Sequence, residues 1–208
     1  MQSMKKDLII DLTANEIDLK VFDMVRGYEV PLADLSGVDI AHLENEVKNG
    51  TGQNLYYQWL ACLTRLLNPK QVVELGAASG ISTIMMATEL NKDSKLYTVD
   101  FDLTIAWKWM AKDYPQVIKI LGNDLDMGIW SKDCDLSKTD LWFIDSLHTK
   151  EQLSKEVELY SPYWKKGSIV VFDDIRLPGM WDVWQTLNYD KVENTNPNHY
   201  SGFGFIKI

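Results

Sequence analysis

The sequence predicts an α/β fold with a doubly wound, mostly parallel sheet of seven strands, an antiparallel last strand and an N-terminal helical cap. Three observations predict it. From Gln71 onward, short runs rich in β-branched residues alternate with segments of helical spacing. A glycine-containing loop follows the first run. The last two runs have no helical segment between them, so we expect them to pair antiparallel, because parallel neighbours need a long crossover.

The seven predicted strands are short. The first reads QVVEL, the fourth DLWFID, and the fifth, SIVVF, follows a Lys-Gly turn. In order they are Gln71–Leu75, Lys95–Asp100, Val117–Leu121, Asp140–Asp145, Ser168–Phe172, Tyr189–Glu193 and Gly202–Ile208.

Four helices are predicted between these strands. Ile81–Leu90 follows the glycine loop, and Leu103–Asp113 ends before a Tyr-Pro pair. Thr149–Tyr160 has apolar residues at helical spacing, and Pro178–Leu187 begins with a residue favoured in the first helical turn. Helices of this length between strands predict right-handed βαβ units.

Residues 1–53 are assigned to an N-terminal helical cap, and residues 54–208 to the main α/β domain. A further helix is predicted from Asn54 to Leu67, after a polar loop at Asn49–Gln53. One interpretation is a helical layer that covers the sheet. The other is a cap whose aromatic side chains, such as Tyr56, Tyr57 and Trp59, shape a substrate pocket. We favour the first, and the two are compatible.

Composition and net charge limit the kinds of molecule that we expect the protein to bind. A net charge of -9 without any block of Lys or Arg disfavours nucleic acid, so we expect a small-molecule substrate. No apolar run approaches the roughly 20 residues that span a bilayer, and the first residues do not resemble a secretory signal. Only Cys62 and Cys134 occur, so no disulfide framework is implied and we expect a cytoplasmic protein. Whether it forms a homo-oligomer stays open.

The loop after the first strand carries a Gly-x-x-x-Gly spacing. An acid, Glu74, lies near the end of the strand, and Gly76 and Gly80 form the turn before a helix. Asp100 ends the second strand, where a carboxylate can accept hydrogen bonds from two ribose hydroxyls. The spacing differs from the Gly-x-Gly-x-x-Gly that holds a pyrophosphate, which argues against a nicotinamide-dependent oxidoreductase.

These features resemble the class I S-adenosylmethionine-dependent methyltransferases, which have a Rossmann-like sheet. The resemblance implies that the methionine part of the cofactor lies against the loop that contains Gly76, Ala78 and Gly80. It also implies further contacts for the amino group, the carboxylate, the ribose and the adenine. Glu74 would contact the amino group, Ser82 the carboxylate and Asp100 the ribose. Phe101 would lie against the adenine, and one of Asn123 and Asp124 would meet the adenine edge.

Acidic residues also end the fourth and fifth strands. Asp145 and His148 follow one strand, and Asp173 and Asp174 follow the other. Because adjacent strands lie about 4.8 Å apart, these carboxylates should come close together, and a divalent cation would relieve their repulsion. Hard oxygen ligands suit Mg²⁺, which we expect here, and also Mn²⁺ or Ca²⁺.

This second pattern resembles the metal-dependent O-methyltransferases of the catechol and caffeoyl-coenzyme A type and their macrolide-sugar and cephalosporin-type relatives. The resemblance implies Asp145, Asp173 and Asp174 as metal ligands. Asp145 and His148 would be the catalytic residues, with His148 as the general base where the catechol type has lysine. Simpler interpretations are that Asp145 caps the next helix, that the acid pair forms a solvated turn, and that His148 is a surface histidine satisfied by a neighbour. Arg176 could attract an anionic substrate, but we favour a pairing with Asp173 or Asp174.

The predicted function is S-adenosylmethionine-dependent, divalent-metal-assisted O-methylation of a small hydroxylated molecule, a sugar or a natural product. A cofactor-binding regulatory protein without turnover is the alternative from another class. Transfer to nitrogen or carbon acceptors, and a hydroxylase-like relative on the same scaffold, also stay open.

Overall fold

The computed structural model describes residues 9, 11–30, 55–102, 113–194, 199 and 201–208. Its strands are β1 (Gln71–Leu75), β2 (Lys95–Asp100), β3 (Val117–Leu121), β4 (Leu141–Ile144), β5 (Ile169–Phe172), β6 (Asp190–Asn194) and β7 (Phe203–Lys207). Its α-helices are α1 (Ala14–Val25), α2 (Tyr56–Leu67), α3 (Ile81–Ala87), α4 (Lys150–Tyr160) and α5 (Met180–Thr186). The predicted loop at residues 49–53 and nearly all of the helix predicted over residues 103–113 lie outside the described residues, as does the boundary between residues 53 and 54.

The strands form one seven-stranded sheet in the order β3-β2-β1-β4-β5-β7-β6. The first five strands are parallel neighbours, and β7 lies antiparallel between β5 and β6. Both the doubly wound sheet and the antiparallel last strand are therefore confirmed. The strand order reverses between β1 and β4, and in such sheets a ligand binds in the crevice outside the carboxyl ends at this switch point.

The register brings the ends of β1, β4 and β5 level with one another. Leu75 pairs with Ile144, and Ile144 pairs with Phe172. The backbone ladder continues one residue further, since the Asp145 amide donates to the Leu75 carbonyl at 2.8 Å and the Asp173 amide donates to the Ile144 carbonyl at 3.0 Å. Asp145 and Asp173 therefore leave the sheet side by side.

The helices cover the two faces of the sheet. Alternate residues of β4 divide between them: Phe143 joins the apolar cluster that contains α1 and α2, and Trp142 joins the cluster that contains α4 and α5. In α1, Ile17 and Val21 are fully buried. The first interpretation of the N-terminal segment, a helical layer against the sheet, therefore holds for α1 and α2.

Helix ends differ from the predicted bounds for local reasons. The helix predicted to begin at Pro178 begins at Met180, because Gly179 at its N-cap has a φ of 84°. The helix predicted to reach Leu90 ends at Ala87, where Thr88 caps the helix and donates its hydroxyl to the Met85 carbonyl. Thr149 caps α4 by accepting from the Gln152 amide, so Asp145 is not the cap of that helix.

Among the residues described, no helix combines the length and the apolar character needed to cross a bilayer.

Candidate active site

A cleft of about 490 Å³ opens at the carboxyl ends of β1 to β4. This volume lies within the range of about 300–1,000 Å³ that is usual for small-molecule and cofactor sites. Six of the nine residues predicted to bind the cofactor line it: Gly76, Ala78, Asp100, Phe101, Asn123 and Asp124. The lining continues through residues 145–148, towards the acids that end β4 and β5.

Gly76 allows the loops after β1 and β4 to touch. It has a φ of 87°, and a Cβ at this position would lie 2.0 Å from the Asp145 carbonyl oxygen and 2.8 Å from the Ser146 Cα. No side chain fits that gap. The neighbouring loop after β4 therefore adds a reason for glycine here, beside the tight turn and the approach of a ligand that the sequence suggested.

Asp100 joins the glycine loop to the end of β2. One carboxylate oxygen accepts the amides of Ala77 and Ala78 at 3.1 and 2.8 Å, and the other accepts the Asp102 amide at 2.9 Å. Since a carboxylate offers about four lone-pair positions and three are used here, one position remains for a ribose hydroxyl.

Glu74 and Ser82 are not among the residues that line the cleft. The Glu74 carboxylate is fully buried, and its two oxygens accept the hydroxyls of Ser82 and Thr83, each at 2.6 Å. Burial raises the pKa of Glu74 to about 7. In this arrangement the pair anchors α3 to β1, and the cofactor contacts predicted for Glu74, Gly80 and Ser82 stay predictions.

A buried polar network supports the wall formed by Asn123 and Asp124. The Gln152 amide donates to both oxygens of Asp124 at 2.9 and 3.0 Å and to Glu156 at 3.0 Å. Ser146 also donates to Glu156, which is 1% exposed. Burial, and next a hydrogen bond to Asp124, raise the pKa of Glu156 to about 9, so Glu156 carries a proton at neutral pH. Asn123 instead accepts the Leu125 amide within its own turn.

The acids of β4 and β5 converge on His148. Its Nε2 lies 3.1 Å from Asp145 Oδ1, and its Nδ1 lies 2.6 Å from Asp174 Oδ2. Hydrogen bonds to Asp145 and to Asp174 raise the pKa of the imidazole to about 10. His148 is therefore an imidazolium in this arrangement. The acid pair is not a solvated turn, since Asp173 and Asp174 are 6% and 7% exposed.

Asp174 and Asp173 also face a second histidine, His199. The His199 Nε2 lies 3.3 Å from Asp173 Oδ1, and its ring packs edge-on against Tyr56 with centroids 4.9 Å apart. Asp174 adopts the left-handed conformation, with a φ of 55°. Aspartate tolerates this region better than most residues, and its occurrence here suits a turn built to aim a functional side chain.

Comparison with solved structures shows the same architecture in known proteins. A caffeoyl-CoA O-methyltransferase candidate from Staphylococcus aureus is 18% identical over 92% of this chain and 99% of its own, with a TM-score of 0.63. The O-methyltransferase TomG from Streptomyces achromogenes, involved in tomaymycin synthesis and solved in complex with S-adenosylmethionine, is 18% identical over 99% of both chains, with a TM-score of 0.61. At such identities the likeness establishes the fold. No curated protein matched the sequence significantly.

Residues 73–175, which run from β1 through the acid pair after β5, match the family described as a methyltransferase domain. This segment is a methyltransferase domain. This methyltransferase therefore uses S-adenosylmethionine, and the suspected family and enzyme class are confirmed. The roles of its individual site residues stay predictions, supported by the six predicted residues that line the cleft.

Three contributors to the methyltransferase site were missed from the sequence. Gln152 and Glu156 lie four apart on α4, which put both on one helix face, but nothing in the sequence marked that face as turned towards Asp124. His199 lies in a polar stretch between two strands. In the sequence, only its position close to Ser201 and to the terminal strand pointed to a place near the site.

One other expectation of the sequence is corrected by the packing. Arg176 pairs with Glu193 at 2.6 Å, and not with Asp173 or Asp174. The favoured interpretation of Trp59, as part of a layer that covers the sheet, agrees with its place in the core against Phe203. In α5, Trp184 packs in the core against Phe172, while Trp181 lies nearer the surface. Trp181 is 38% exposed.

Proposed function

We propose that this methyltransferase transfers a methyl group to a hydroxyl oxygen of a small molecule with the help of a divalent cation. The observation that carries the proposal is that two groups of potential metal-binding side chains share Asp174: one adds Asp145 and His148, the other Asp173 and His199. Asp145 and His148 also line the cleft. The similarity to chains described as O-methyltransferases supports the choice of acceptor atom. A sugar or a natural-product hydroxyl is the proposed acceptor class.

The residues at the ends of β4 and β5 fit a cation. Asp173 Oδ1 is buried and accepts no hydrogen bond from the described residues. Burial, together with the negative charges of Asp145 and Asp174, raises the pKa of Asp173 well above its ordinary value. Hard carboxylate oxygens grouped in this way suit Mg²⁺ or Mn²⁺. Asp145, Asp173 and Asp174 are the proposed ligands.

When bound, S-adenosylmethionine supplies an electrophilic methyl carbon, and the cation lowers the pKa of a coordinated acceptor hydroxyl. Asp100 is proposed to accept a ribose hydroxyl, and Asp124, held by Gln152, to accept the adenine amino group. Phe101, which is 76% exposed, would cover the adenine once the cleft is filled. Alignment of acceptor and methyl group supplies much of the rate enhancement in such a displacement.

His148 is the proposed general base. Both of its nitrogens lie against carboxylates in the arrangement described, so it accepts a proton only after the contact with Asp145 or Asp174 opens. An acceptor hydroxyl that enters between His148 and Asp145 would break the longer of these contacts, the one at 3.1 Å. As an imidazolium, His148 must first give its Nε2 proton to Asp145 or to water, and the proton of the acceptor oxygen would then pass to the neutral Nε2.

Methyl transfer from labelled S-adenosylmethionine to a panel of hydroxylated acceptors tests the proposal. We expect product with Mg²⁺ or Mn²⁺ and its loss with EDTA. Asp145→Asn should lower kcat at least about 100-fold, because it removes both a metal ligand and the partner of His148. Asp126→Asn, on the surface beyond the cleft, is the matched control. Transfer unaffected by chelation would refute the role of the cation.

A cofactor-binding protein without a metal is the second candidate. The His148 imidazolium favours it, because this cation already balances Asp145 and Asp174. Calorimetry separates the two: S-adenosylmethionine binding that Asp100→Ala abolishes and Asp93→Ala retains, without any Mg²⁺ or Mn²⁺ binding, would favour this candidate.

The proposed setting is the cytoplasm, with a small-molecule partner and no nucleic acid. Cys62 and Cys134 are both free and buried, which suits a reducing compartment. The net charge of -9 disfavours phosphate-backbone partners. Filter binding with DNA and RNA at low salt should detect no complex.

A further inference from the structure

We propose that His199 is a fourth protein ligand of the cation, so that the site combines nitrogen with carboxylate oxygen. This inference rests on the metal-assisted function proposed above and extends it to a residue outside the three acids. His199 lies beyond β5 and β6 in the chain, directly before the terminal strand, and yet its Nε2 reaches the acid pair.

The hydrogen bonds around Ser201 define the tautomer of His199. The Ser201 hydroxyl lies 3.2 Å from His199 Nδ1 and also donates to the Asp174 carboxylate. A hydroxyl has only one proton, so if it is given to Asp174, the oxygen must accept from Nδ1–H. We therefore assign the proton of the neutral ring to Nδ1, which leaves a lone pair on Nε2.

The lone pair on His199 Nε2 faces a lone pair on Asp173 Oδ1. Nε2 lies 3.3 Å from Asp173 Oδ1, and this buried oxygen accepts no hydrogen bond from any described residue. Two acceptors at this distance repel each other unless a cation lies between them. Adjacent ligands of an octahedral ion at about 2.1 Å are about 3.0 Å apart, and opposite ligands about 4.2 Å. Donor atoms of Asp173, Asp174 and His199 all lie within 4.8 Å of one another.

The ring is also held as metal-bound histidines usually are. One nitrogen is oriented by a hydrogen bond from the ring to a neighbour, here Ser201, while the other addresses the ion. Tyr56 and Phe203 pack edge-on against the ring, with centroid distances of 4.9 and 5.9 Å. Ser201 and Phe203 are almost fully buried, so the imidazole has little freedom to turn away.

A nitrogen ligand changes the expected choice of metal. Imidazole suits first-row transition metals better than Mg²⁺ or Ca²⁺, which prefer oxygen donors. We therefore expect Mn²⁺ to bind more tightly than Mg²⁺ at equal concentration. His148 supplies the contrast within the same site, since both of its nitrogens already contact carboxylates.

The test uses Mn²⁺ as the probe and the electron spin echo of the bound ion as the readout. We expect ¹⁴N modulation in the wild-type protein, its replacement by the ¹⁵N pattern after labelling with ¹⁵N-histidine, and its loss in His199→Gln. The Mn²⁺ dissociation constant of that variant should rise at least about tenfold. His148→Gln is the matched control and should keep the modulation.

Ser201→Ala covers the case in which His199→Gln fails to fold. It keeps the imidazole and should retain the ¹⁴N modulation, while Mn²⁺ binding weakens about 10–100-fold because the ring loses its orienting partner. Bound Mn²⁺ without ¹⁴N modulation in the wild type would overturn the role of His199 and leave metal-assisted transfer intact. Modulation lost in His148→Gln but kept in His199→Gln would also overturn it. If the wild type binds no Mn²⁺, the metal proposal itself fails, while S-adenosylmethionine binding stands on its own calorimetric test.

Discussion

At the scale of single residues, side chains near the cleft act mainly on each other. Glu74 holds α3 through two hydroxyls, Asp100 holds the glycine loop through two amides, and Glu156 holds Asp124. Gly76 lets the loop after β1 touch the loop after β4. The cleft is thus positioned by residues of its lining, Gly76 and Asp100, together with the buried Glu74 and Glu156.

Gly76→Ala should destabilise the protein by more than its backbone conformation alone explains. A left-handed residue with a Cβ costs about 1–2 kcal/mol, and the clash with the Asp145 carbonyl adds about 1–3 kcal/mol. Gly167→Ala is the control, because Gly167 has a similar φ of 82° in a turn away from the cleft. Urea unfolding of both variants measures the difference. Equal losses would show that the loop after β4 yields to the new methyl group.

Glu156→Gln and Glu156→Ala should separate the proton of Glu156 from its size. Gln keeps a donor towards Asp124 and an acceptor for Ser146, so we expect little change at pH 5. Ala leaves buried partners without hydrogen bonds and should lower the free energy of unfolding by about 1–3 kcal/mol. Chemical denaturation at pH 5 measures both.

The same pair of variants tests the ionisation of Glu156. Its pKa is raised in the folded state from an ordinary 4.5 to about 9. The folded protein therefore holds a proton that the unfolded chain loses, and the free energy of unfolding should fall as pH rises between these values. Asp124 is the charged group that faces Glu156, through Gln152 and directly. Glu156→Gln should remove this slope; an unchanged slope would assign the titration to another group.

At the scale of elements, a polar contact fixes how α1 lies on the rest of the fold. Asp18 accepts the indole N–H of Trp59 in α2 at 2.9 Å and the side-chain amide of Asn194 in β6 at 3.0 Å. The N-terminal amide of α1, at Ala14, donates to Asp190 at 2.8 Å. One helix is thus joined to both the helical layer and the edge strand.

Asp18→Asn should stabilise this junction at neutral pH. Burial raises the pKa of Asp18 to about 6 from an ordinary 3.8, so the wild-type protein loses stability as pH rises through this interval. Asn still accepts from Trp59 without a buried charge. We expect a gain on the order of 1–2 kcal/mol at pH 7 and none at pH 3, allowing for solvent screening. Thermal unfolding at both pH values measures it, with Asp23→Asn on the exposed face of α1 as control. A loss at pH 7 would mean that the charge itself stabilises the junction.

At the scale of the whole molecule, α1 and the sheet share one core. Ile17 and Val21 belong to the same buried cluster as Trp59, Phe203 and Phe205. These side chains come from the N-terminal segment, from α2 and from the last strand. The division of the sequence at residue 53 therefore does not separate two cores among the described residues.

Ile17→Ala should accordingly weaken the entire fold. Ile17 is fully buried, and removing its side chain should lower the free energy of unfolding by about 2–5 kcal/mol. Leu19→Ala, at a residue 68% exposed on the same helix, should change it by less than about 0.5 kcal/mol. Circular dichroism and tryptophan fluorescence should report one coincident transition for all three proteins. Two separate transitions would make α1 an independently unfolding unit.

The sequence by itself determined the order of the elements and the place of the site. The spacing of apolar residues along strands and helices is a local property of the chain. Parallel strands have their carboxyl ends at one edge of the sheet, so the sequence alone assigns Asp100, Asp145, Asp173 and Asp174 to that edge. The antiparallel last strand followed from the missing crossover. These inferences needed only spacing along the chain and general rules of sheet geometry.

Only the tertiary structure decided which side chains meet. In the packed structure, Glu74 accepts the hydroxyls of Ser82 and Thr83, and Arg176 pairs with Glu193. Glu156 lies beside Asp124, and His199 lies beside Asp173. Each of these partnerships depends on a side-chain direction and on a neighbour remote in sequence. Residue spacing carries neither, because both arise when the elements pack and most buried polar atoms find a partner.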